Sequence, residues 1–264
     1  MLNGFFMGFQ PNGNTLDQLP DYYDTATLFV AGVTDDGQSL ATGYLTKVYS
    51  AEQQQEWISG LHARGNGTQV LMCLMDSSSI HWNQVNLPAY AQSVKSIAID
   101  QWGCDGVDID LESGMPSAVW ADTFIALAKE LRTVLGPKGT PGARLSMTGY
   151  VPSREKPVLQ AIGSELDWFN TMAYWNDPGA NETLFNTYHQ YVDQVNLGVG
   201  VDYQKDQSTP LSSVSGTAKF AAANGAGMML YPINNDCEFY TKKAQWTWSD
   251  TINQNYGNDA RGLK

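Results

Sequence analysis

The stretch DGVDIDLES, residues 105–113, sets Asp108, Asp110 and Glu112 at alternate positions, with Val107, Ile109 and Leu111 between them. A β-strand turns successive side chains to opposite faces, so this spacing puts three carboxylates on one face and three apolar side chains on the other. Two strand residues separate neighbouring stems by ~6.6 Å, close enough for Asp110 and Glu112 to reach one small substrate group. Crowded carboxylates in a partly dry site raise at least one pKa, leaving an acid that still holds its proton near neutrality. Glu112, at the strand's end, is then the natural proton donor, and Asp108 and Asp110 are neighbours that share its charge as a coupled set.

Three other readings of the ladder compete. A helix–loop–helix calcium loop counted from Asp108 needs Gly at its sixth position and Glu at its twelfth, where this chain has Ser113 and Val119. A metal-dependent hydrolase wants clustered histidines, whereas His62, His81 and His189 are scattered. A merely solvated edge strand is the bland reading. It conflicts with Val107, Ile109 and Leu111, which call for burial on the opposite face and so for an interior strand.

The elements that must carry the ladder are legible along the chain. Apolar, β-rich runs fall at residues 5–9, 26–33, 69–75, 106–112, 144–150, 166–174, 195–201 and 227–231. Helix-favouring stretches lie between most of them, beginning near residues 50, 87, 117 and 210. The clearest is Ser117 to Leu135, with apolar residues at helical spacing and Gly136 to stop it. Strands alternating with helices over 264 residues predict one α/β domain, residues 1–264, folded as a single (β/α)8 TIM barrel. The doubly wound alternative would open with a Gly-rich phosphate turn, and the first turn here, FQPNGNT, lacks that fingerprint.

Barrel active sites gather at the C-terminal ends of strands. There the chain offers QPNG, DSSSIHW, ESGMP, YVPS, YWNDPG, DYQKD and YPINNDCE, rich in acids, amides, hydroxyls and rings and poor in Lys and Arg. Such a rim suits a neutral polyhydroxylated ligand. Trp82 and Trp175 lie just past strand ends, placed either to stack on sugar faces or to seal the barrel top. Gln10 and Asp202 reach the same rim, as ligand contacts or as loop caps. Trp246 and Trp248 belong to a C-terminal helical stretch and read as packing.

Composition narrows the partners. The net charge is −12, from 27 acidic against 15 basic residues, which repels phosphate backbones and argues against nucleic acid. No apolar run reaches the ~18 residues of a membrane span. Cys73, Cys104 and Cys237 are too widely spaced for a disulfide framework or a zinc cluster, and buried free thiols are expected. The opening residues, MLNGFFMGFQPNG, show no basic leader or cleavage site. The expectation leans to a mature secreted domain, with a cytosolic location as the alternative. A monomer without cofactor or metal is expected.

DGVDIDLE resembles the signature of glycoside hydrolase family 18, D-G-x-D-x-D-x-E at the end of the fourth barrel strand, with Asp105, Gly106, Asp108, Asp110 and Glu112 all in place. FNTMAYW is similar to the family's M-x-Y element, carried by Met172 and Tyr174. The resemblance implies a retaining hydrolysis of β-1,4 bonds after N-acetylglucosamine in which the substrate's acetamido oxygen is the nucleophile. It makes Glu112 the general acid. Asp110 would orient the acetamido group, Asp108 would share its charge, and Tyr174 would donate a hydrogen bond to the acetamido oxygen. The chain departs from the pattern at CLMDSSS, where S-x-G-G is common, at Trp175, where many chitinases have Asp, and at Tyr231, where many have Trp. There is no room for the insertion domain of larger chitinases. On this footing the expected substrate leans to chitin and chitooligosaccharides, with the chitobiose core of N-glycans as the alternative and a non-catalytic carbohydrate-binding or inhibitory barrel as a second.

Overall fold

The computed structural model describes residues 1–256 except Ser78, Pro141 and Lys205, so the last eight residues of the expected domain lie outside the description. Eight parallel strands form the barrel: β1 Leu2–Met7, β2 Thr25–Val33, β3 Gln69–Leu74, β4 Gly106–Asp110, β5 Arg144–Gly149, β6 Trp168–Thr171, β7 Val195–Gly200 and β8 Gly227–Tyr231. Each pairs with the next, and β1 closes the ring by pairing with β8 through Leu2↔Met228 and Gly4↔Leu230. Closure leaves no barrel edge to attract another chain. β2 alone extends into a short antiparallel arm, Val33 pairing with Leu40.

The surrounding helices are α1 Ala51–Ala63, α2 Leu87–Val94, α3 Ser117–Leu135, α4 Pro152–Ile162, α5 Pro178–Tyr188, α6 Leu211–Asn224, α7 Glu238–Thr241 and α8 Thr247–Tyr256. α3 has the span its sequence predicts, and Gly136 ends it at φ +91°, a conformation costly for any residue with a Cβ. α4 and α5 do not stand out in sequence. α4 carries Pro157 in its interior, which reads as a break, and α5 begins on Asp177-Pro178, which reads as a turn until the Asp177 carboxylate is seen to cap the Ala180 N–H. The first strand also departs from expectation. It begins at Leu2 and stops before Phe9, and a single 3-10 turn, Leu16–Gln18, replaces a helix in the connection to β2.

Alternation along β4 works as its spacing requires. Val107, Ile109 and Leu111 are buried in the core between barrel and helices, while Asp108 and Asp110 are buried on the inward side. Gly106 is needed where β4 meets β5, since a Cβ there would stand 2.1 Å from the Arg144 carbonyl oxygen. Asp105 anchors the strand's lower end, accepting the Val70 N–H at 2.7 Å and lying 2.8 Å from His62 Nε2.

The barrel interior is polar below and aromatic above. Asn3, Asn170 and Asn196 meet at the Asn170 carbonyl oxygen, and Asn170 Nδ2 donates upward to Asp108 Oδ1 at 3.2 Å. Each buried amide thus finds a partner inside the ring, as burial demands. Above them Phe5, Cys73, Met172, Tyr174 and Met229 form a separate apolar cluster beneath the barrel mouth.

Candidate active site

The C-terminal mouth of the barrel holds a pocket of about 330 Å³. Asp110 and Glu112 form one wall, Met172, Tyr174 and Trp175 another, and Tyr231 closes the side towards Phe5 and Phe29. The carboxylate ladder therefore runs from the dry interior to the opening: Asp108 is fully buried, Asp110 nearly so, and Glu112 is exposed.

Each rung is held differently. Asp108 accepts hydrogen bonds from Ser146 Oγ at 2.5 Å, Thr148 Oγ1 at 2.8 Å and Asn170 Nδ2. Burial pushes its carboxyl up to about 6, and those same hydrogen bonds hold it from rising further. Asp110 Oδ1 accepts the Glu112 backbone N–H at 2.9 Å. Burial, followed by the Glu112 charge, raises the Asp110 carboxyl well above the usual carboxylate range. Glu112, though exposed at the mouth, is raised as well, by partial desolvation of its carboxyl against the pocket walls. All three rungs therefore hold their protons to higher pH than free carboxylates, and they titrate as a coupled set.

Aromatic rings shape the rest. Tyr174 stacks on Tyr231, centroids 5.3 Å apart and planes 15° apart, and leans on Tyr203 at 5.3 Å. Gly200 makes this possible, because a Cβ there would meet the Tyr203 ring at 2.3 Å and Tyr174 Cβ at 2.9 Å. Burial first, then Tyr231 and the ladder's charge, raise the Tyr174 hydroxyl well above 10, so it remains a donor. Trp175 is 61% exposed and stands edge-on to Tyr150 across 6.1 Å, two bare rings at the rim.

Of the residues expected at the site, the fold brings Asp110, Glu112, Met172, Tyr174, Trp175 and Tyr231 to one pocket, with Asp108 directly beneath. Three others go elsewhere. Trp82 is 1% exposed in the outer core, edge-on to Tyr90 at 5.3 Å, and seals the barrel rather than facing a ligand. Gln10 donates to Asn235 Oδ1 at 2.7 Å, and Asn235 donates to the Asp202 carbonyl at 3.1 Å. Gln10 and Asp202 thus belong to a clasp that ties the loops after β1, β7 and β8. The Asp202 carboxylate is spent within its own loop, accepting the Asp206 N–H at 2.7 Å.

Sequence reading missed Tyr150, Tyr203 and Gln204, which also line the pocket, and Asp76. Buried Asp76 accepts Ser113 Oγ at 2.5 Å and lies 3.0 Å from His81 Nδ1, joining the loop after β3 to the residue following Glu112. The only sequence signal was an acid at a strand end. Cys73, Cys104 and Cys237 are buried free thiols, and Trp248 is packed, its indole N–H bonded to the Thr209 carbonyl. Among the described residues no group of His, Cys, Asp or Glu is placed to hold a metal ion, and no helix is long and apolar enough to cross a membrane.

Residues 4–224 match the family model of the endo-β-N-acetylglucosaminidase EndoS TIM-barrel domain. The chain belongs to this family. The match bears out the resemblance to glycoside hydrolase family 18. A family 18 chitinase from Chromobacterium violaceum superposes with a TM-score of 0.73 at 19% identity, covering 95% of this chain and 82% of that one. An endo-β-N-acetylglucosaminidase from Cordyceps militaris gives 0.68 at 19% identity, with 97% and 90% covered. A class V chitinase from Nicotiana tobaccum, solved in complex with NAG4, gives 0.74 at 13% identity, with 97% and 98% covered. At such identities the likeness is one of fold. No curated protein matches the chain by sequence.

Proposed function

We propose that the protein is a retaining endo-glycosidase that cleaves the β-1,4 bond after an N-acetylglucosamine, acting on the chitobiose core of N-glycans. The observation that carries the reaction is the ladder itself: Glu112 exposed at the pocket, Asp110 bonded to its backbone, and Asp108 buried beneath. Glu112 protonates the bridging oxygen as it leaves. The acetamido oxygen of the bound sugar attacks the anomeric carbon, and water later opens the resulting oxazolinium with Glu112 acting as base. Asp110 accepts the acetamido N–H and offsets the positive charge that develops beside it. Tyr174 donates to the acetamido oxygen. The negative charge is held ready in a dry site for a cation that exists only during the reaction, where such preorganisation is worth most.

The family match favours the glycan core over chitin. Of the two tryptophans that would favour a linear chitin groove, only Trp175 faces the pocket. The chitin reading keeps one specific support, the bare Trp175 and Tyr150 rings at the rim, suited to the flat faces of successive sugars.

The test offers a high-mannose glycoprotein and chitopentaose to the same preparation, alongside Glu112→Gln. Release of intact glycan, leaving one N-acetylglucosamine on the protein, is expected, with turnover lowered by several orders of magnitude in the variant. Cleavage of chitopentaose alone would transfer the substrate to chitin. Tight retention of either ligand without cleavage would make the barrel a binding protein.

A further inference from the structure

Glu112 lies past the end of β4, which stops at Asp110. Its N–H turns back to the Asp110 carboxylate, so the direction of its side chain depends on how the next residue is held. Ser113 is held from two sides. Its hydroxyl donates to Asp76 Oδ2 at 2.5 Å, in the loop after β3, and its carbonyl accepts Arg154 Nη2 at 3.2 Å, from α4. Arg154 is itself laid over the Trp120 ring, 4.4 Å from its centroid. The same Asp76 oxygen accepts the Trp82 N–H at 3.3 Å and lies 3.0 Å from His81 Nδ1. Trp82 is packed in the outer core, so Asp76 is tied to a close-packed part of the fold. The Asp76 side chain is 4% exposed, and a carboxylate so buried persists only where such donors surround it. His81 covers the turn from outside: a Cβ on Gly114 would stand 3.0 Å from its Cε1. Asp76 belongs to CLMDSSS, where the chain departs from the S-x-G-G pattern, so this contact answers to the chain's own sequence.

Serine, histidine and aspartate side by side raise the question of a nucleophilic triad. The order is wrong for one. Ser113 and His81 both bond to Asp76, and the histidine is not interposed to take the serine's proton. The cluster holds the chain; it does not attack.

We propose that Asp76 is a positioning residue for the general acid, fixing Glu112 through the Ser113 hydroxyl, with His81 and Trp82 holding Asp76 in turn. The inference rests on the reaction proposed above. An acid assists departure only within hydrogen-bond reach of the bridging oxygen, and a displacement of about 1 Å costs on the order of a hundredfold. Loss of the clamp therefore acts on proton transfer to the leaving group and not on the binding of sugar.

The experiment measures kcat/KM, which reports the steps up to departure of the leaving group. The substrates are dinitrophenyl and phenyl β-glycosides of the glycone that the paired assay above shows to be released. Dinitrophenolate leaves without a proton, whereas phenol needs one. Ser113→Ala cuts the link and leaves Asp76 on its other donors. It should lower kcat/KM by about tenfold to a hundredfold on the phenyl substrate and by less than about threefold on the dinitrophenyl one. Asp76→Ala should do the same, and Asp76→Asn, which keeps an oxygen for the Ser113 hydroxyl, should restore part of the loss. Glu112→Gln is the control and should show the same selectivity more strongly. If it does, and Ser113→Ala lowers both substrates equally or neither, the positioning role is overturned while the proposed reaction stands. Equal losses on both substrates in Glu112→Gln, or no turnover by wild type, would overturn the acid role itself and this inference with it.

Discussion

Asp110 accepts the backbone N–H of Glu112 at 2.9 Å, so the middle rung of the ladder fixes the chain that carries the top one. In the proposed reaction one carboxylate thereby holds the general acid in place and supplies charge to the reacting sugar. The two roles separate on substitution. Asp110→Asn keeps an oxygen that can accept the same N–H but removes the charge, so kcat should fall by about 10²–10³. Its melting temperature should not fall, because a nearly buried carboxylate is replaced by a neutral amide. A cold-labile or visibly loosened variant would show that the hydrogen bond, and not the charge, is what matters at this position.

The pH profile has a defined sign. In the proposed reaction Glu112 acts as an acid and must carry its proton, and partial desolvation at the pocket raises its carboxyl above the ordinary value. Activity is therefore retained in mildly acid solution and lost as pH rises through that raised pKa, with kcat/KM falling tenfold per unit beyond it. Steady-state rates from pH 4 to 9 measure this. A flat profile to pH 9 would remove Glu112 from the acid role.

Asp108 should make the fold less stable at neutral pH than in mild acid. Unfolded, its carboxyl loses its proton near 3.8; folded, burial delays that loss to about 6. Between those values the native state holds more protons than the unfolded state, so stability falls as pH rises, by about 3 kcal/mol across the window. Asp108→Asn should flatten the difference in melting temperature between pH 4.5 and pH 7. Asp236, also raised by burial to about 6, and the raised carboxyls of Asp110, Glu112 and Glu155 leave a residual slope in the variant. An equal slope in variant and wild type would show that Asp108 is charged throughout.

The two rim tryptophans of the sequence should behave oppositely. Trp175→Ala removes a side chain that is 61% exposed, so stability should change by no more than about 0.5 kcal/mol while KM rises several-fold. Trp82→Ala empties a fully packed site and should cost about 3–5 kcal/mol, with KM for the surviving folded protein unchanged. Chemical denaturation and initial rates on both variants check the pair. A raised KM in Trp82→Ala at full folding would return that residue to the ligand.

Much of this protein was legible before folding, because the relevant signals are local. Alternation along residues 106–112 reports which face is buried, and it placed Asp108, Asp110 and Glu112 on one side of an inward-facing strand. The helical spacing from Ser117 to Leu135, closed by Gly136, predicted α3 to the residue. Eight β-rich runs with intervening helices implied the closed barrel. Where local chemistry pointed two ways, the ring of loops decided. Trp82 follows a strand as Trp175 does, yet one meets Tyr90 beneath a loop and the other meets solvent. Gln10, Asn235 and Asp202 are joined only because closure sets β1 beside β8. Asp76 reaches Ser113, and Arg154 reaches Trp120 and Ser113, across more than thirty residues of chain. Such contacts have no period and no fixed spacing. They arise from the order in which strands surround the barrel, which is a property of the closed ring and not of any one segment.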